Sequence, residues 1–412
     1  MNAFAALLAA AALAVGHQAG PPPVLEISYT GQTGHLRWLD ARTLAPLARP
    51  AVDVGRYTLD AGFSPGGSTL VLASNEEDVA ALRFVDLDAM RRAGGLPLGH
   101  GYVWSADWLE PHRLVVLVSG RNSETIVWVD PAARVVLGRK TVPGQVVSVA
   151  RAPGGLVLLL SPRGEIGPAT LAVADASGRL RSARLDQTWV GTVWPTGQAD
   201  PMGVQRLAGL AVDPAGGHAY VLGAGEPVAE VDLTAMTVAY HDLAEPASLL
   251  HRLRRWLQPT AQAKGINGPQ RQACWLGDGK IALTGEDVQT WIDARKQWQY
   301  HATPAGLTIV DARNWSARKV DSTANQCLAG DGSLVATGVM GSLDAPGTRL
   351  SAYDAAGRLR FHVDMTHAIG VFALSAGLLY AYQDNQIAIV DLGTGALLPV
   401  REAGPVGLVV PD

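Results

Sequence analysis

The sequence predicts an all-β protein whose short antiparallel sheets close into a ring, because three observations agree. A short apolar strand ending in Asp recurs eight times, Gly-rich turns join further apolar strands after each copy, and successive copies lie 37 to 46 residues apart where no insertion intervenes. Four strands per unit at this spacing are the period of a β-propeller. We therefore expect one domain of eight four-stranded blades. Seven blades are the alternative, if the unit around residues 170–225 is irregular.

The first element of each repeat is an apolar run closed by an aspartate. A carboxylate at this position accepts a hydrogen bond from the backbone N–H two residues on and closes the turn. We therefore interpret these aspartates as structural rather than catalytic. The eight copies are LRWLD (Asp40), LRFVD (Asp86), IVWVD (Asp130), LAVAD (Asp175), VAEVD (Asp232), LTIVD (Asp311), LSAYD (Asp354) and IAIVD (Asp391).

A second hairpin follows the aspartate unit, with an apolar strand on each side of a Gly-rich turn. Short apolar strands joined by Gly, Asp and Pro turns are hairpin signals. Examples are LDAGFSPGGSTLVLAS, LAGLAVDPAGGHAYVLGA, ACWLGDGKIALTG and CLAGDGSLVATG.

The two ends of the chain complete one another in this pattern. The last unit has strands at 386–391 and 396–400 followed by GPVGLVV, and is one strand short. The N-terminal segment VLEISYTG supplies the missing strand just before LRWLD. A ring closed by strands from both termini leaves no exposed sheet edge between its ends.

The N-terminal segment before the repeats predicts export. Residues 1–16 form an apolar run of signal-peptide length, residues 17–23 form a proline-rich linker, and residues 24–412 form the single repeat domain. The run carries no Lys or Arg, so a flexible Ala-rich leader is the alternative. It is shorter than the ~20 residues that a membrane-spanning helix needs, so we expect no integral membrane segment. The predicted location is secreted, or periplasmic and cell-envelope.

Composition argues against two further classes of protein and one kind of metal site. With 48% hydrophobic and 17% charged residues in 412, the chain is too apolar for a disordered protein. A net charge of -4 argues against a nucleic-acid binder, which needs a basic surplus. Two cysteines are too few for a four-cysteine zinc site.

The VD turns and the SPGG, DPAGG and GDG hairpins resemble those of the bacterial YVTN-type and WD40-like β-propellers, over residues 24–412. The resemblance implies an architecture rather than a function, and no WD dipeptide closes any repeat. The segment VDLGTGALLPV is also similar to the repeat of eight-bladed quinoprotein dehydrogenases. The tryptophan that this family places further on is absent from every unit, which weakens the implication of a quinone cofactor.

Three insertions decorate one face of the predicted ring, at 187–206, 241–270 and 285–306. Long loops on a rigid scaffold are where function concentrates. Because the three lie on consecutive blades, we expect one contiguous aromatic and basic cap that binds a protein or extracellular ligand. The alternative is that the tryptophans only pack the insertions onto the ring. The candidate binding residues are Trp189, Trp194, Arg255, Trp291, Trp298, Tyr300 and His301.

One insertion contains a predicted short helix at 246–257. Leu249, Leu253 and Trp256 fall on one of its faces, arginines occupy the rest, and Pro259 ends it. We expect the leucines to dock the helix on the ring, and contact with an anionic membrane surface is the alternative.

Cys274 and Cys327 occupy equivalent places before the GDG turns of neighbouring units. Their strands converge near the central channel, so they are candidates for a disulfide in an oxidising compartment. Two buried free thiols are the alternative.

No catalytic motif is recognisable in the sequence. His362, Asp364 and His367 form the one local cluster of metal-ligating types, and a strand residue and a loop residue more often point apart, so we predict no metal. No acid, base or cofactor pocket is indicated, and we predict no cofactor. The sequence thus favours a monomeric, non-catalytic binding protein. The alternative is an envelope enzyme (a quinoprotein-like oxidoreductase, lyase or hydrolase) with its site in the central funnel.

Overall fold

The computed structural model describes most of the repeat domain. The described residues are 21–31, 33–56, 61–76, 78–121, 123–194, 203–243, 268–292, 298–330, 333–336, 348–365, 372–383, 386–398, 401–402 and 406–409. The apolar leader 1–16 and the predicted helix 246–257 lie outside these ranges.

The described residues form eight antiparallel sheets that follow one another along the chain. In chain order, the first four sheets are built from β1 (Val24–Thr30), β2 (Thr33–Leu39) and β3 (Val52–Gly55); β4 (Ala61–Phe63), β5 (Thr69–Glu76), β6 (Val79–Asp86) and β7 (Arg91–His100); β8 (Tyr102–Glu110), β9 (Arg113–Ser119), β10 (Glu124–Asp130) and β11 (Val135–Thr141); and β12 (Gln145–Ala152), β13 (Gly155–Ser161), β14 (Ile166–Asp175), β15 (Leu180–Val193) and β16 (Val204–Arg206).

The other four sheets are built in the same order. They contain β17 (Gly209–Val212), β18 (His218–Leu222), β19 (Val228–Asp232) and β20 (Thr237–His241); β21 (Gly268–Gly277), β22 (Lys280–Ile292), β23 (Trp298–Pro304), β24 (Leu307–Asp311) and β25 (Ser316–Asp321); β26 (Cys327–Gly330), β27 (Ser333–Ala336), β28 (Arg349–Tyr353) and β29 (Leu359–Asp364); and β30 (Phe372–Ser375), β31 (Leu378–Gln383), β32 (Gln386–Asp391) and β33 (Arg401–Glu402). The last strand, β34 (Val406–Val409), joins the first sheet.

Strands from both termini share the first sheet, as the sequence predicts. Strand β34 pairs with β1 through Leu25↔Val409 and Ser28↔Val406, and the sheet order is β3-β2-β1-β34. The outer strand of the eighth sheet differs slightly from the expectation. It is the short β33 at 401–402, and the described residues 396–398 pair with β32 through the isolated bridge Val390↔Leu397.

Neighbouring sheets pack face to face all the way around the ring. Successive side chains of a strand point to opposite faces, and here both faces are buried. In β5, Leu70 and Leu72 pack against the first sheet, while Val71 and Ala73 pack against the third. A hydrophobic cluster lies between each of the eight neighbouring pairs, including the pair that joins the last sheet to the first. The chain is therefore a closed β-propeller, of WD40-like architecture.

All eight repeated aspartates close turns through their side chains. The carboxylate of Asp130 accepts the N–H groups of Ala132 and Ala133, both at 2.9 Å, and that of Asp232 accepts Thr234 and Ala235 at 2.7 and 2.8 Å. Asp86 and Asp354 make the same kind of bond three and four residues on. The structural role predicted for these residues is confirmed. The remaining four are Asp40, Asp175, Asp311 and Asp391.

The inner strands β8 and β12 carry β-bulges near their starts, and a side chain from the preceding sheet binds the backbone there. The N–H of Val103 donates to Asn75 Oδ1 at 2.9 Å, and that of Val146 donates to Glu124 Oε2 at 2.8 Å. Bulges leave a backbone group outside the ladder, so a buried one needs a side-chain partner. These two bonds link the second, third and fourth sheets.

Glu124 is 4% exposed, and burial raises the pKa of its carboxyl above the usual 4.5 despite the hydrogen bond from Val146. The folded state therefore holds the proton more tightly than the unfolded chain, so this residue's contribution to stability falls as pH rises above 4.5. We expect Glu124→Gln to gain stability relative to the wild type between pH 4.5 and pH 7, measured by denaturant unfolding at each pH.

The matched control is Glu110→Gln, since Glu110 is exposed. Its stability difference from the wild type, measured over the same pH range, is the baseline. If the difference for Glu124→Gln varies with pH no more than this baseline does, the buried carboxyl does not titrate as described.

Candidate functional site

The connections of the ring fall on two opposite faces. One face, which we call the turn face, carries the turn between the two inner strands and the turn between the two outer strands of each sheet. The eight aspartates, the start of β1 and the end of β34 lie on this face. Connections between the second and third strands and between successive sheets lie on the other. All three insertions belong to this second set, and we call their side the insertion face.

The insertion 187–206 is a continuation of the fourth sheet rather than a free loop. Strand β15 runs past the end of β14 and pairs with β16 through Gly191↔Arg206, Thr192↔Gln205 and Val193↔Val204. Two predicted binding residues lie on this hairpin with large exposed areas. Trp189 is 46% exposed and Trp194 is 55% exposed.

A buried carboxylate fastens this hairpin to the fifth sheet. Glu226 accepts the backbone N–H of Trp189 at 3.2 to 3.3 Å and the guanidinium of Arg206 at 2.5 Å. The backbone N–H of Gln187 also donates to Tyr240 Oη at 3.2 Å. Burial raises the pKa of Glu226, and the nearby Arg206 opposes that rise. The backbone of Trp189 is thus held by fixed bonds while its ring remains open to solvent.

The insertion 285–306 is also a hairpin. Strand β22 pairs with β23 through Trp291↔Gln299, Ile292↔Trp298 and Thr290↔Tyr300. His301 is exposed, and its Nε2 lies 3.4 Å from Thr303 Oγ1. For Trp291, Trp298 and Tyr300 only the backbone is described.

The middle insertion is described only at its two ends, 241–243 and 268–270. Arg255 lies outside the described residues. Of the basic residues that the sequence places near the cap, Arg271 has a structural role. Its guanidinium donates to the carbonyl of Glu286 and to Asp287 Oδ1, both at 2.9 Å, and its side chain is mostly buried. It holds β21 against β22.

Two aromatic residues on the insertion face are absent from the sequence prediction. Tyr102 and Trp104 begin the inner strand β8, are 45% and 46% exposed, and have ring centroids 6.5 Å apart. Simple strand alternation does not reveal them, because the bulge between Val103 and Ser105 changes the facing of side chains at this point. The sequence feature that could indicate them is the pair Gly99 and Gly101. Both glycines have positive φ and mark an irregular crossover before the strand.

Cys274 and Cys327 come together between the sixth and seventh sheets. Their sulfur atoms lie 2.9 Å apart as free thiols, and Cys274 Sγ lies 3.4 Å from the carbonyl oxygen of Cys327. The hydrogen bond with Cys274, together with burial, raises the pKa of the Cys327 thiol. The equivalent placement predicted for them is therefore observed, and the disulfide stays a prediction.

The local cluster at the seventh sheet is described only in part. Asp364 forms an ion pair with Arg349 at 2.8 Å, and His367 lies outside the described residues. Within the described ranges, no group of three or more His, Cys, Asp and Glu side chains is placed to share a metal ion.

Solved structures of other proteins share this fold. The dihydro-heme d1 dehydrogenase NirN, in complex with DHE, is 12% identical with a TM-score of 0.59; the alignment covers 94% of this chain and 74% of that one. Apo AztD from Citrobacter koseri is 12% identical with a TM-score of 0.52, over 94% of this chain and 97% of that one. At this identity the likeness concerns the fold alone.

No family model matches the sequence, and no curated protein is significantly similar to it. In the part of the chain that the structure describes, no helix has the length and apolar character needed to cross a membrane.

We propose that Cys274 and Cys327 form a disulfide when a thiol oxidant such as oxidised glutathione accepts their two electrons and two protons and is reduced to two molecules of glutathione. Purified oxidised protein should then yield one linked peptide pair in non-reducing mass spectrometry. Reduction should lower its stability by about 2 to 4 kcal/mol. The reductant should leave the stability of Cys274→Ser and Cys327→Ser unchanged. Full alkylation of both thiols in denatured, unreduced protein would contradict the proposal.

Proposed function

We propose that the protein is an exported, non-catalytic β-propeller that binds a protein or an extracellular ligand through its insertion face. The observation that carries the proposal is the pair of half-exposed tryptophans, Trp189 and Trp194, on a hairpin that is bonded to the neighbouring sheet.

Exposed indoles on a fixed hairpin are suited to recognition. A tryptophan buries a large area on binding and also brings one N–H donor, which makes it frequent among residues that dominate binding energy. Val193 and Val204, opposite each other in the same hairpin, are also exposed and extend the apolar area. Contiguous apolar surface of this kind is typical of an interaction site.

The hydrogen bonds that Glu226 accepts from Trp189 add a second argument for binding through this hairpin. Because they fix the backbone of Trp189 before any ligand arrives, less conformational entropy is lost on binding. Tyr102 and Trp104 begin an inner strand on the same face and offer further aromatic surface near the mouth of the channel.

The alternative of an enzyme with its site in the central funnel receives less support. Within the described ranges, the eight innermost strands carry two carboxylates, Asp107 and Glu110, and no histidine. Asp107 is ion-paired with Arg151 at 2.8 Å. Acid–base chemistry needs groups that converge on one substrate position.

Export is the further part of the proposal, and it depends on the apolar run 1–16 followed by the proline-rich linker. A disulfide between Cys274 and Cys327 would agree with an oxidising compartment outside the cytoplasm.

The double variant Trp189→Ala/Trp194→Ala tests the binding surface. We expect it to fold as the wild type does, because about half of each side chain is exposed, and to lose at least about tenfold in affinity. Affinity capture from the native cell envelope, followed by calorimetry with the recovered ligand, measures the effect. The control Val135→Ala/Leu137→Ala removes similarly exposed apolar side chains from the outer strand β11 and should bind normally.

Two results would contradict the proposal. If the tryptophan variant captures and binds the same ligand as well as the control does, the insertion face is not the binding surface. If it loses its cooperative melting transition, the two indoles stabilise the propeller instead of binding a ligand. Size-exclusion chromatography of both variants shows whether the tryptophans serve self-association.

A further inference from the structure

A concave site lies on the side of the ring opposite to the insertion face. A cavity of about 550 Å³ opens on the turn face, and its walls come from four consecutive sheets and the proline segment before β1. Trp38, Phe63 and Trp108 contribute its aromatic rings, and Arg49 and Arg151 contribute its charges. Its volume is within the range of small-molecule sites.

The aromatic walls are held in place by the core. Trp38 and Trp108 are each only 8% exposed, so most of each ring is packed against neighbouring sheets. Trp108 Nε1 donates to the carbonyl of Gly62 at 3.2 Å, and the centroids of Trp38 and Phe63 lie 6.4 Å apart. Flat apolar surfaces fixed in this way favour a planar ligand that can stack or pack on them.

The charged groups of the cavity are cationic. The guanidinium carbon of Arg49 lies 5.3 Å from the centroid of the Trp38 ring, in a cation–π contact that keeps it beside the aromatic wall. Arg151 is 47% exposed, and its Nε donates to Asp107 Oδ1 at 2.8 Å. Both groups are guanidiniums, whose planar geometry suits carboxylate and sulfonate oxygens.

From this combination we infer that the turn-face cavity binds a small planar aromatic anion, such as an aromatic carboxylate. The rings accept the flat apolar part, and Arg49 and Arg151 pair with the anionic group. The site is separate from the insertion face, so it goes beyond the proposed function. It forms only when the first four sheets are packed against one another, because residues from all four line it.

The test uses two fluorescent probes that differ in charge. 8-Anilino-1-naphthalenesulfonate is an aromatic anion with a planar naphthalene ring, and N-phenyl-1-naphthylamine is its neutral counterpart without the sulfonate. We expect the native full-length protein to bind the sulfonate saturably at one site, at least about tenfold more tightly than the amine. Binding should weaken as salt is raised, because the charges are partly screened.

Variants then locate the probe. Arg49→Gln/Arg151→Gln should weaken sulfonate binding at least about tenfold and leave amine binding unchanged. Arg179→Gln removes an exposed arginine elsewhere on the turn face and is the matched control. Trp189→Ala/Trp194→Ala should bind the sulfonate normally, so a failure of the insertion-face proposal and a failure of this one are distinguishable.

The inference is overturned if the sulfonate does not bind the native protein, or if it binds the Arg49→Gln/Arg151→Gln variant as tightly as the wild type. Equal affinity for the two probes would also overturn it, since the cavity would then recognise apolar surface without charge. Melting curves of the arginine variants that match the wild type exclude unfolding as the reason for weaker binding.

Discussion

The rest of the structure depends on the burial of apolar side chains between neighbouring sheets. Each sheet has two apolar faces, so a single sheet or an open row of sheets would leave one face in water. Closing the row into a ring buries every face, and the pairing of β1 with β34 secures the last junction by backbone hydrogen bonds. The inner strands approach so closely that a Cβ on Gly209 would lie 2.6 Å from the backbone nitrogen of Ala273. Short strands, small inner residues and tight turns all follow from this packing.

The two faces of the ring use polar groups differently because their connections differ in length. On the turn face, short connections are closed by their own aspartates, and these bonds to backbone N–H groups lower the pKa of several of the carboxyls, including that of Asp232. On the insertion face, longer connections reach neighbouring sheets, and carboxylates such as Glu124 and Glu226 bind backbone groups across the junctions. These bonds turn what would be loose insertions into extensions of the sheets, which can present side chains at fixed positions.

The same scaffold therefore offers two surfaces of different shape. The insertion face presents convex hairpins with exposed aromatic rings, which suit a large partner. The turn face contains a cavity in which aromatic rings are recessed and arginines stand beside them, which suits a small ligand. Both surfaces combine residues from several sheets, so each depends on the packing of neighbouring sheets.

The sequence by itself determines the local structure and the ring. The apolar runs, the aspartate turns and the complementary chain ends specify eight sheets, because hydrogen bonds within a hairpin and alternation along a strand act over a few residues. It also predicts that Trp189 and Trp194 lie in an insertion and that the two cysteines occupy equivalent places in neighbouring units. Only the tertiary structure decides which side chains meet and which stay exposed. The exposure of Trp104 depends on a bulge, and the backbone of Trp189 is held by a glutamate from another sheet. The turn-face cavity is formed by residues from four sheets, among them Trp38, Arg49, Trp108 and Arg151. These arrangements result from contacts between residues far apart in the chain, and no local pattern in the sequence encodes them.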